Sequence, residues 1–170
     1  MSELDSNNDR QASAVGENLS NYQHADDNRP VILVVDDSNT VLRSATDYLT
    51  NIGVSVVTAH DGFEALAKVV DIKPVMLFVD IMMPRLDGYQ TCALIKNNAD
   101  LRSIPVIILS SKDGLFDRAR GRVAGADDHL AKPFNATQLM SMVEKYLNEK
   151  GLNLAANAKD SGEVDTTTNP

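Results

Sequence analysis

The 170-residue chain contains one cysteine, no tryptophan and only 5% aromatic residues. Its single cysteine, Cys92, cannot form an internal disulfide, which is typical of a reducing compartment. Alanine and leucine follow it in an apparent helix, so we interpret it as buried helix filler and not as a redox sensor. No apolar run approaches the ~20 residues of a membrane-spanning helix. The N-terminus carries Glu3 and Asp5 and lacks the apolar region of a secretory signal. These absences predict a cytoplasmic protein with no membrane insertion.

Positive charge is also scarce, with 16 basic against 24 acidic residues and a net charge of −8. Residues 1–29 carry −4 and residues 151–170 carry −2, so the middle of the chain keeps only −2. No Lys/Arg cluster offers an electrostatic footprint for nucleic acid, and we expect no nucleic-acid binding.

Both ends of the chain are polar and poor in large apolar residues. Neither end can bury enough apolar area to offset the entropy lost on ordering. We therefore expect a disordered extension over residues 1–29, one folded domain over residues 30–150 and a disordered tail over residues 151–170. Two interpretations of the first extension stay open: an inert solvated segment, or a docking peptide that folds on binding.

Between these ends, short apolar segments alternate five times with amphipathic ones. Strands are predicted over residues 31–35, 54–58, 75–79, 104–109 and 128–131, and helices over about 38–52, 61–73, 88–97, 113–123 and 135–149. Alternating strand and helix segments predict a parallel sheet with helices on both faces. Glycines at 114, 121 and 125 indicate a weakly held fourth helix.

Helix ends and buried faces can be predicted from residue types at fixed offsets. Ser38 is a candidate N-cap, Asp61 with Glu64 and Asn135 with Gln138 are candidate capping boxes, and Gly53 and Pro74 end the first two helices. Helical spacing predicts three buried faces, formed by Val41, Leu42, Ala45, Leu49 and Ile52, by Phe63, Leu66, Ala67 and Val70, and by Leu139, Val143, Tyr146 and Leu147.

Charged residues stand where three predicted strands end. Asp36 and Asp37 follow the first strand, Asp80 follows the third and Lys132 follows the fifth. Ligands of open α/β sheets bind at the carboxyl ends of the strands. Clustered carboxylates repel an anionic phosphoryl group unless a cation neutralises them, and Mg²⁺ prefers such oxygen ligands. The pattern indicates a site for a divalent cation and a phosphoryl group. Read alone, the acid pair could instead be a turn and helix cap, and Lys132 a surface lysine.

These residues together resemble the receiver domains of response regulators. The resemblance covers about residues 30–150 and rests on Asp36-Asp37, Asp80, the Met83-Pro84…Asp87-Gly88 turn, Ser110 and Lys132-Pro133, all in the expected order and spacing. It implies an α/β, doubly wound, flavodoxin-like (CheY-like) fold with five parallel strands in the order 2-1-3-4-5.

The resemblance assigns a role to each residue of the acid cluster. Asp80 is the phosphoacceptor; with a reference pKa near ~3.9 it is ionised at neutral pH and needs no base to activate it. Asp37 and Asp80 bind Mg²⁺ directly, Asp36 acts largely through water, and the backbone carbonyl of Met82 completes the protein ligands.

Three further positions concern the phosphoryl group and the switch. By the same resemblance, Lys132 is expected to contact a phosphoryl oxygen and to be followed by a cis peptide bond to Pro133. In receivers, the hydroxyl at the position of Ser110 moves toward the phosphoryl group, while an aromatic residue of the fifth strand turns inward behind it. Here that position holds His129, which is either a plain substitute or a source of pH dependence.

Met82 and Lys112 lie where receivers tune the loss of phosphate by positioning or excluding water. Because the apolar Met82 orients no water, we expect slow autodephosphorylation.

Residues 78–98 and 109–116 most resemble receivers of the chemotaxis-like systems that control type IV pili. This implies a stand-alone regulator of twitching motility, phosphorylated by a CheA-like histidine kinase and acting on a downstream pilus-regulatory protein. The 20 residues after residue 150 are too few for an output domain. Output is then expected through the fourth helix, fifth strand and fifth helix. Candidates for coupling or for that surface are Leu115, Phe116, His129, Leu130 and Tyr146, with plain core residues as the alternative for most of them.

Two other functions compete with this one. A phosphorelay intermediate would pass the phosphoryl group from Asp80 to a histidine phosphotransfer domain. A hydrolase with an aspartyl-phosphate nucleophile is disfavoured, because its Asp-x-Asp signature is absent and no cap insertion could hold a substrate. Autodephosphorylation aside, we expect no enzymatic turnover. We expect a monomer and leave open dimerisation on phosphorylation.

Overall fold

The computed structural model describes residues 28–111, 115–152 and 154, without the side chains of residues 115–117. Its strands are β1 (Val31–Val35), β2 (Ser55–Ala59), β3 (Met76–Asp80), β4 (Val106–Ser110) and β5 (Asp128–Ala131). Its helices are α1 (Asn39–Thr50), α2 (Gly62–Ile72), α3 (Gly88–Asn97), α4 (Leu115–Val123) and α5 (Ala136–Glu149). The predicted ends of the strands and helices differ from these by a few residues. The third and fourth strands were predicted to end at residues 79 and 109, but they include Asp80 and Ser110 as their last residues.

The five strands form one parallel sheet in the order β2-β1-β3-β4-β5. The predicted doubly wound α/β fold and strand order are therefore confirmed. Strands β3 and β4 are buried along their whole length, because helices cover both faces of the sheet.

Alternate strand residues contribute to two separate cores. Leu33, Leu77 and Ile108 belong to the core on the side of α2 and α3. Ile32, Phe78 and Ile107 belong to the core on the side of α1 and α5. Full burial of one such side chain stabilises the fold by about 1.5–3 kcal/mol, so these two cores hold the strand ends in place.

Two of the three predicted helix faces are confirmed, and the third is wrong. The α1 and α5 faces point inward as expected. In α2, Phe63 and Val70 are 54% and 53% exposed, and Gly62, Ala65 and Val69 are buried in their place. A Cβ on Gly62 would collide with Thr91 Oγ1 and lie 2.8 Å from Leu86 Cδ2, so α2 approaches the start of α3 too closely for larger side chains.

The predicted capping boxes also differ in outcome. Asn135 and Gln138 form the complete box at α5. At α2, Asp61 accepts from the Glu64 N–H at 2.8 Å, but the Glu64 carboxylate accepts from the backbone N–H of His60 at 2.7 Å. That box is half formed, because Glu64 turns to a different donor.

Some sequence predictions fall outside the described residues. These are residues 1–27 of the extension predicted over 1–29, residues 153 and 155–170 of the tail predicted over 151–170, and the positions Lys112, Asp113 and Gly114, so the domain boundaries stay predictions. Among the described residues, Cys92 is fully buried, and burial raises the pKa of its thiol to about 11. None of the described helices combines the length and apolar character that a membrane crossing requires.

Candidate phosphoryl and metal site

The parallel register brings the ends of three strands to one edge of the sheet. Val35 lies beside Val79, so Asp36 and Asp80 leave neighbouring strands at the same level. Ser110, the last residue of β4, lies beside Ala131, and Lys132 follows directly. Residues far apart in sequence therefore meet because all five strands run in one direction.

Lys132 joins the two buried carboxylates of this edge. Its Nζ lies 2.9 Å from Asp36 Oδ2 and 2.9 Å from Asp80 Oδ1. Asp36 is 0% exposed and Asp80 is 2% exposed. Buried carboxylates are costly unless paired and hydrogen-bonded, so one ammonium compensates two charges here.

The same contacts set the direction of the pKa shifts. Burial raises the pKa of Asp80, and the nearby charges of Asp36 and Asp37 raise it further, against the opposing hydrogen bond from Lys132. Burial lowers the pKa of Lys132, but the hydrogen bonds to Asp80 and Asp36 outweigh it and raise the pKa above its ordinary value. Lys132 therefore stays a cation at neutral pH.

Three carboxylates at this edge could hold a metal ion. Oxygens of Asp36, Asp37 and Asp80 all lie within 4.8 Å of one another. Asp37 is exposed, while the backbone N–H of Ser38 donates to Asp36 Oδ1 at 2.9 Å and holds that carboxylate in position. All-oxygen donors with one solvent-facing side fit Mg²⁺, which keeps several waters when bound.

Ser110 and His129 lie on the neighbouring strands β4 and β5. Ser110 is 2% exposed, and its carbonyl accepts from the Lys132 N–H at 2.6 Å. His129 lies beside Ile108, two residues before Ser110, and is partly buried. A cavity of about 320 Å³ lies between His129 and α4, and Ile108 and Gly121 also line it. This space leaves room beside His129 for side chains to rearrange.

The loop from Ile81 to Asp87 carries Met82 and joins β3 to α3. Met82 is 74% exposed, while Met83 and Leu86 are buried and anchor the loop. The Gly88 N–H donates to the Ile81 carbonyl at 3.1 Å. A Cβ on Gly88 would collide with the Asp80 carbonyl group, whose carbon would lie 2.8 Å away. The start of α3 is thus pressed against the backbone of the candidate phosphoacceptor.

Sequence reasoning missed one residue that holds this loop. Arg85 has a φ of +68°, in the left-handed region that non-glycine residues seldom adopt. Its Nη2 lies 2.8 Å from Asp61 Oδ2, and its guanidinium lies 5.5 Å from the ring centroid of Phe63. No spacing rule links positions 24 residues apart, so only tertiary structure could reveal this contact.

The structure brings together most of the predicted site. Asp36, Asp80 and Lys132 are in direct contact, Asp37 faces the same space, and the Lys132–Pro133 peptide bond is cis. Lys112 lies outside the described residues. Among the candidates for the output surface, Leu130 and Tyr146 are buried at 7% exposure each and belong to the core, and the side chains of Leu115 and Phe116 lie outside the description.

Comparison with known proteins identifies one family. Residues 32–144 match the family model described as the response regulator receiver domain. Over 116 residues, the chain is 56% identical to Protein PilG of Pseudomonas aeruginosa. This alignment covers 68% of this chain and 86% of that protein. It is 37% identical over 139 residues to response regulator MprA of Mycobacterium bovis, covering 82% of this chain. The chain spans only 60% of the length of MprA.

Solved structures share the same architecture. A putative response regulator from Chloroflexus aurantiacus superposes with a TM-score of 0.68 at 31% identity, covering 71% of this chain and 98% of that one. The chemotaxis protein CheY4 of Vibrio cholerae superposes with a TM-score of 0.67 at 28% identity. The superposition covers 70% of this chain and 99% of that one. The likeness extends over nearly the whole length of both neighbours.

Proposed function

Since this chain belongs to the response regulator receiver family, we propose that it accepts a phosphoryl group on Asp80 and signals by protein contact. The observation that carries the proposal is the contact of Lys132 with Asp36 and Asp80 at the carboxyl edge of the sheet. A cation shared by two buried carboxylates, beside a third, exposed one, suits a site that receives an anion together with a divalent cation.

In the proposed transfer, the donor is a phosphohistidine of a CheA-like histidine kinase. A carboxylate oxygen of Asp80 forms a bond to phosphorus as the P–N bond breaks. The histidine nitrogen keeps the electron pair of that bond and takes a proton from solvent. Asp37, Asp80 and the Met82 carbonyl would hold Mg²⁺ directly and Asp36 largely through water, and the bound ion would supply charge neutralisation. Lys132 then binds a phosphoryl oxygen. Its ammonium group thereby replaces one of its two carboxylate contacts with a contact to the phosphoryl group.

Signalling follows from a local change in charge that biases a two-state surface. The Ser110 hydroxyl donates a hydrogen bond to an oxygen of the new phosphoryl group, and His129 and α4 rearrange around the cavity between them. The partner is a downstream protein that binds this changed surface. We propose a monomeric, cytoplasmic signalling protein without enzymatic turnover and without nucleic-acid binding.

Control of type IV pilus twitching motility is the finer part of the proposal. It is supported by the resemblance of residues 78–98 and 109–116 to receivers of that system and by the 56% identity to Protein PilG. The downstream protein would then be a regulator of pilus extension. Deletion of this chain in its own cells, complemented by wild type or by the Asp80→Asn variant, tests that part through twitching on a surface.

Incubation with acetyl phosphate and Mg²⁺ tests the phosphoacceptor directly. We expect intact mass to show one added phosphoryl group in wild type and none in Asp80→Asn. Excess chelator should also abolish the adduct, because uncompensated acids repel the donor. Asp71→Asn is the matched control, since Asp71 is an exposed acid on α2 and its loss should leave the adduct unchanged. An adduct that persists in Asp80→Asn would refute the assignment.

The lifetime of the phosphoryl group depends on Met82, whose exposed apolar side chain cannot hydrogen-bond an attacking water. We expect Met82→Asn to accelerate loss of phosphate by several-fold, because an amide can orient water toward the phosphorus. The decay is followed by intact mass after the donor is removed. Met82→Leu, which is equally apolar, should decay like wild type. Equal decay rates for all three proteins would exclude this role.

A further inference from the structure

The β3–α3 loop, residues 81–87, is held at both of its ends. The Ile81 N–H donates to the Leu109 carbonyl at 3.1 Å, so the loop begins against β4. The Gly88 N–H donates to the Ile81 carbonyl at 3.1 Å, so the two ends of the loop are joined. Between them lies Met82, whose backbone carbonyl is the expected metal ligand. The position of that carbonyl therefore depends on what holds the middle of the loop.

The middle of the loop is a tight turn centred on Arg85. The Leu86 N–H donates to the Pro84 carbonyl at 2.8 Å and closes a three-residue turn. Arg85, the central residue of that turn, has a φ of +68°. A γ-turn with a positive φ is rare and strained. Such a conformation persists only where the surrounding structure over-determines it, and strained residues of this kind cluster at functional sites.

Contacts with α2 hold this turn in place. The Arg85 Nη2 lies 2.8 Å from Asp61 Oδ2, and the guanidinium lies 5.5 Å from the ring centroid of Phe63. The buried Leu86 adds an apolar contact, since its Cδ2 would lie 2.8 Å from a Cβ on Gly62. The loop is thus pressed against α2 through one polar and one apolar side chain. The exposed ring of Phe63 gains a cationic partner from the same arrangement.

Asp61 is a fixed anchor for the arginine. Its Oδ1 accepts from the backbone N–H of Glu64 at 2.8 Å and caps α2, while its Oδ2 pairs with Arg85. One carboxylate therefore caps a helix and holds a loop at the same time. Because the cap fixes the Asp61 side chain, the arginine is tied to a rigid element of the fold and not to another loop.

The start of α2 is also linked to the segment that carries Asp37. The Nε2 of His60, the residue before Asp61, lies 3.1 Å from the Oδ1 of Asn39. Asn39 is the first residue of α1 and follows Asp37 by two positions. The beginning of α2 thus lies between two segments that supply metal ligands, and it is joined to each by side-chain contacts.

We propose that Arg85 is a positioning residue for the metal site. Through Asp61 it fixes the loop that carries the Met82 carbonyl, and so strengthens the binding of Mg²⁺. A ligand held in place before the ion arrives loses less conformational freedom on binding. The inference rests on the proposed function, because it presumes that Asp37, Asp80 and the Met82 carbonyl bind the ion. It adds a residue that acts on the ion only through the loop.

The sign of one affinity change separates positioning from simple electrostatics. Arg85→Gln removes a positive charge from the surroundings of a cation site, so Coulomb interactions alone predict tighter binding of Mg²⁺. Positioning predicts weaker binding, by roughly tenfold, the lower end of the loss seen when a partner that orients a metal ligand is removed. Titration of the isotope-labelled full chain with Mg²⁺, followed through the amide signals of Asp37 and Ile81, gives the dissociation constant. An unchanged or smaller constant in Arg85→Gln would overturn the proposal.

Three variants control for charge, backbone and route. Arg43→Gln removes the same charge from an exposed position on α1 and should not weaken binding. Arg85→Gly relieves the positive φ but loses the side chain, so it should bind as weakly as Arg85→Gln; wild-type affinity in this variant would refute a role for the guanidinium. Asp61→Asn keeps a capping side chain, and in its background Arg85→Gln should have little further effect. An equal effect in both backgrounds would exclude the route through Asp61.

Hydrogen exchange in chelator measures the loop without any ion. The amides of Met83 and Gly88 both donate to the Ile81 carbonyl at 3.1 Å. In Arg85→Gln they should exchange several-fold faster than in wild type, because the loop opens more often, while amides of β1 should keep their rates. Equal exchange at Met83 and Gly88 in both proteins would show that Arg85 does not hold the loop.

The same titrations distinguish failure of this inference from failure of the proposed function. Wild type that binds no Mg²⁺ would refute the metal site and this inference together. Wild type that binds Mg²⁺ as Arg85→Gln does would refute this inference alone. Acetyl phosphate labelling adds a second readout. In Arg85→Gln the Mg²⁺ concentration for half-maximal labelling should rise, and the rate at saturating Mg²⁺ should approach that of wild type.

Discussion

Gly88→Ala is expected to lower the free energy of unfolding by about 3 kcal/mol, the upper end of the range typical of overpacking, because the collision is with backbone atoms. The added Cβ would lie 2.8 Å from the carbonyl carbon of Asp80 and 2.9 Å from the Cα of Ile81, and both are backbone atoms. Neither can rotate away as a flexible side chain could. The start of α3 or the end of β3 must therefore shift, and the shift displaces Asp80. Denaturant unfolding and acetyl phosphate labelling measure the two effects.

Gly121→Ala is the matched control for this substitution. At Gly121 the nearest atom to an added Cβ is the Ala126 Cβ at 3.8 Å, which is ordinary van der Waals contact. Alanine in a helix interior is favoured over glycine by roughly 0.5–1 kcal/mol, so this variant should be neutral or slightly stabilised. If Gly88→Ala unfolded at the same denaturant concentration as Gly121→Ala, the close approach of α3 to Asp80 would be refuted.

Lys132→Met is expected to destabilise the metal-free protein by about 3 kcal/mol, the usual cost of leaving a buried charge without its partner. Asp36 and Asp80 are almost completely buried, and in the described structure Lys132 is the cation that both contact. Mg²⁺ should recover part of the loss, because a ligand that binds only the folded state stabilises it. Thermal unfolding in chelator and in Mg²⁺ gives both quantities.

A second lysine and a double variant serve as controls. Lys145→Met removes an exposed lysine that pairs with Asp128, and it should cost less than about 1 kcal/mol, as surface ion pairs do. Asp80→Asn in the Lys132→Met background removes one of the two repelling charges and should restore stability. If Lys132→Met cost no more than Lys145→Met in chelator, the ammonium would not be compensating the buried carboxylates.

Much of the fold was predictable because it depends on local patterns. An apolar run ended by two acids located β1 at its observed bounds, and the following Lys132-Pro133 located β5. The alternation of strands and helices predicted the parallel sheet. The faces of α1 and α5 followed from helical spacing, since Leu42, Leu49, Leu139 and Val143 point inward. The acids and Lys132 were predictable for the same reason, because parallel strands end at one edge of a sheet.

Local patterns failed where two elements approach closely. In α2 the spacing of Phe63, Leu66, Ala67 and Val70 predicted a buried face, yet Gly62, Ala65 and Val69 face the core. Apolar residues lie all round this helix, so hydrophobicity alone could not select the inward side. The narrow space beside Thr91 selected the small residues, and that space exists only after α3 has packed.

The sequence by itself determined the βα order, the strand-end acids and the lysine, because each follows from residue type and spacing along the chain. Tertiary structure decided which helix face is buried, that Arg85 ties the β3–α3 loop to α2, and that Lys132 bridges Asp36 and Asp80 at 2.9 Å. It also decided that small residues leave a groove between α3 and α4. These features depend on distances between elements that are remote in sequence, and packing alone sets those distances.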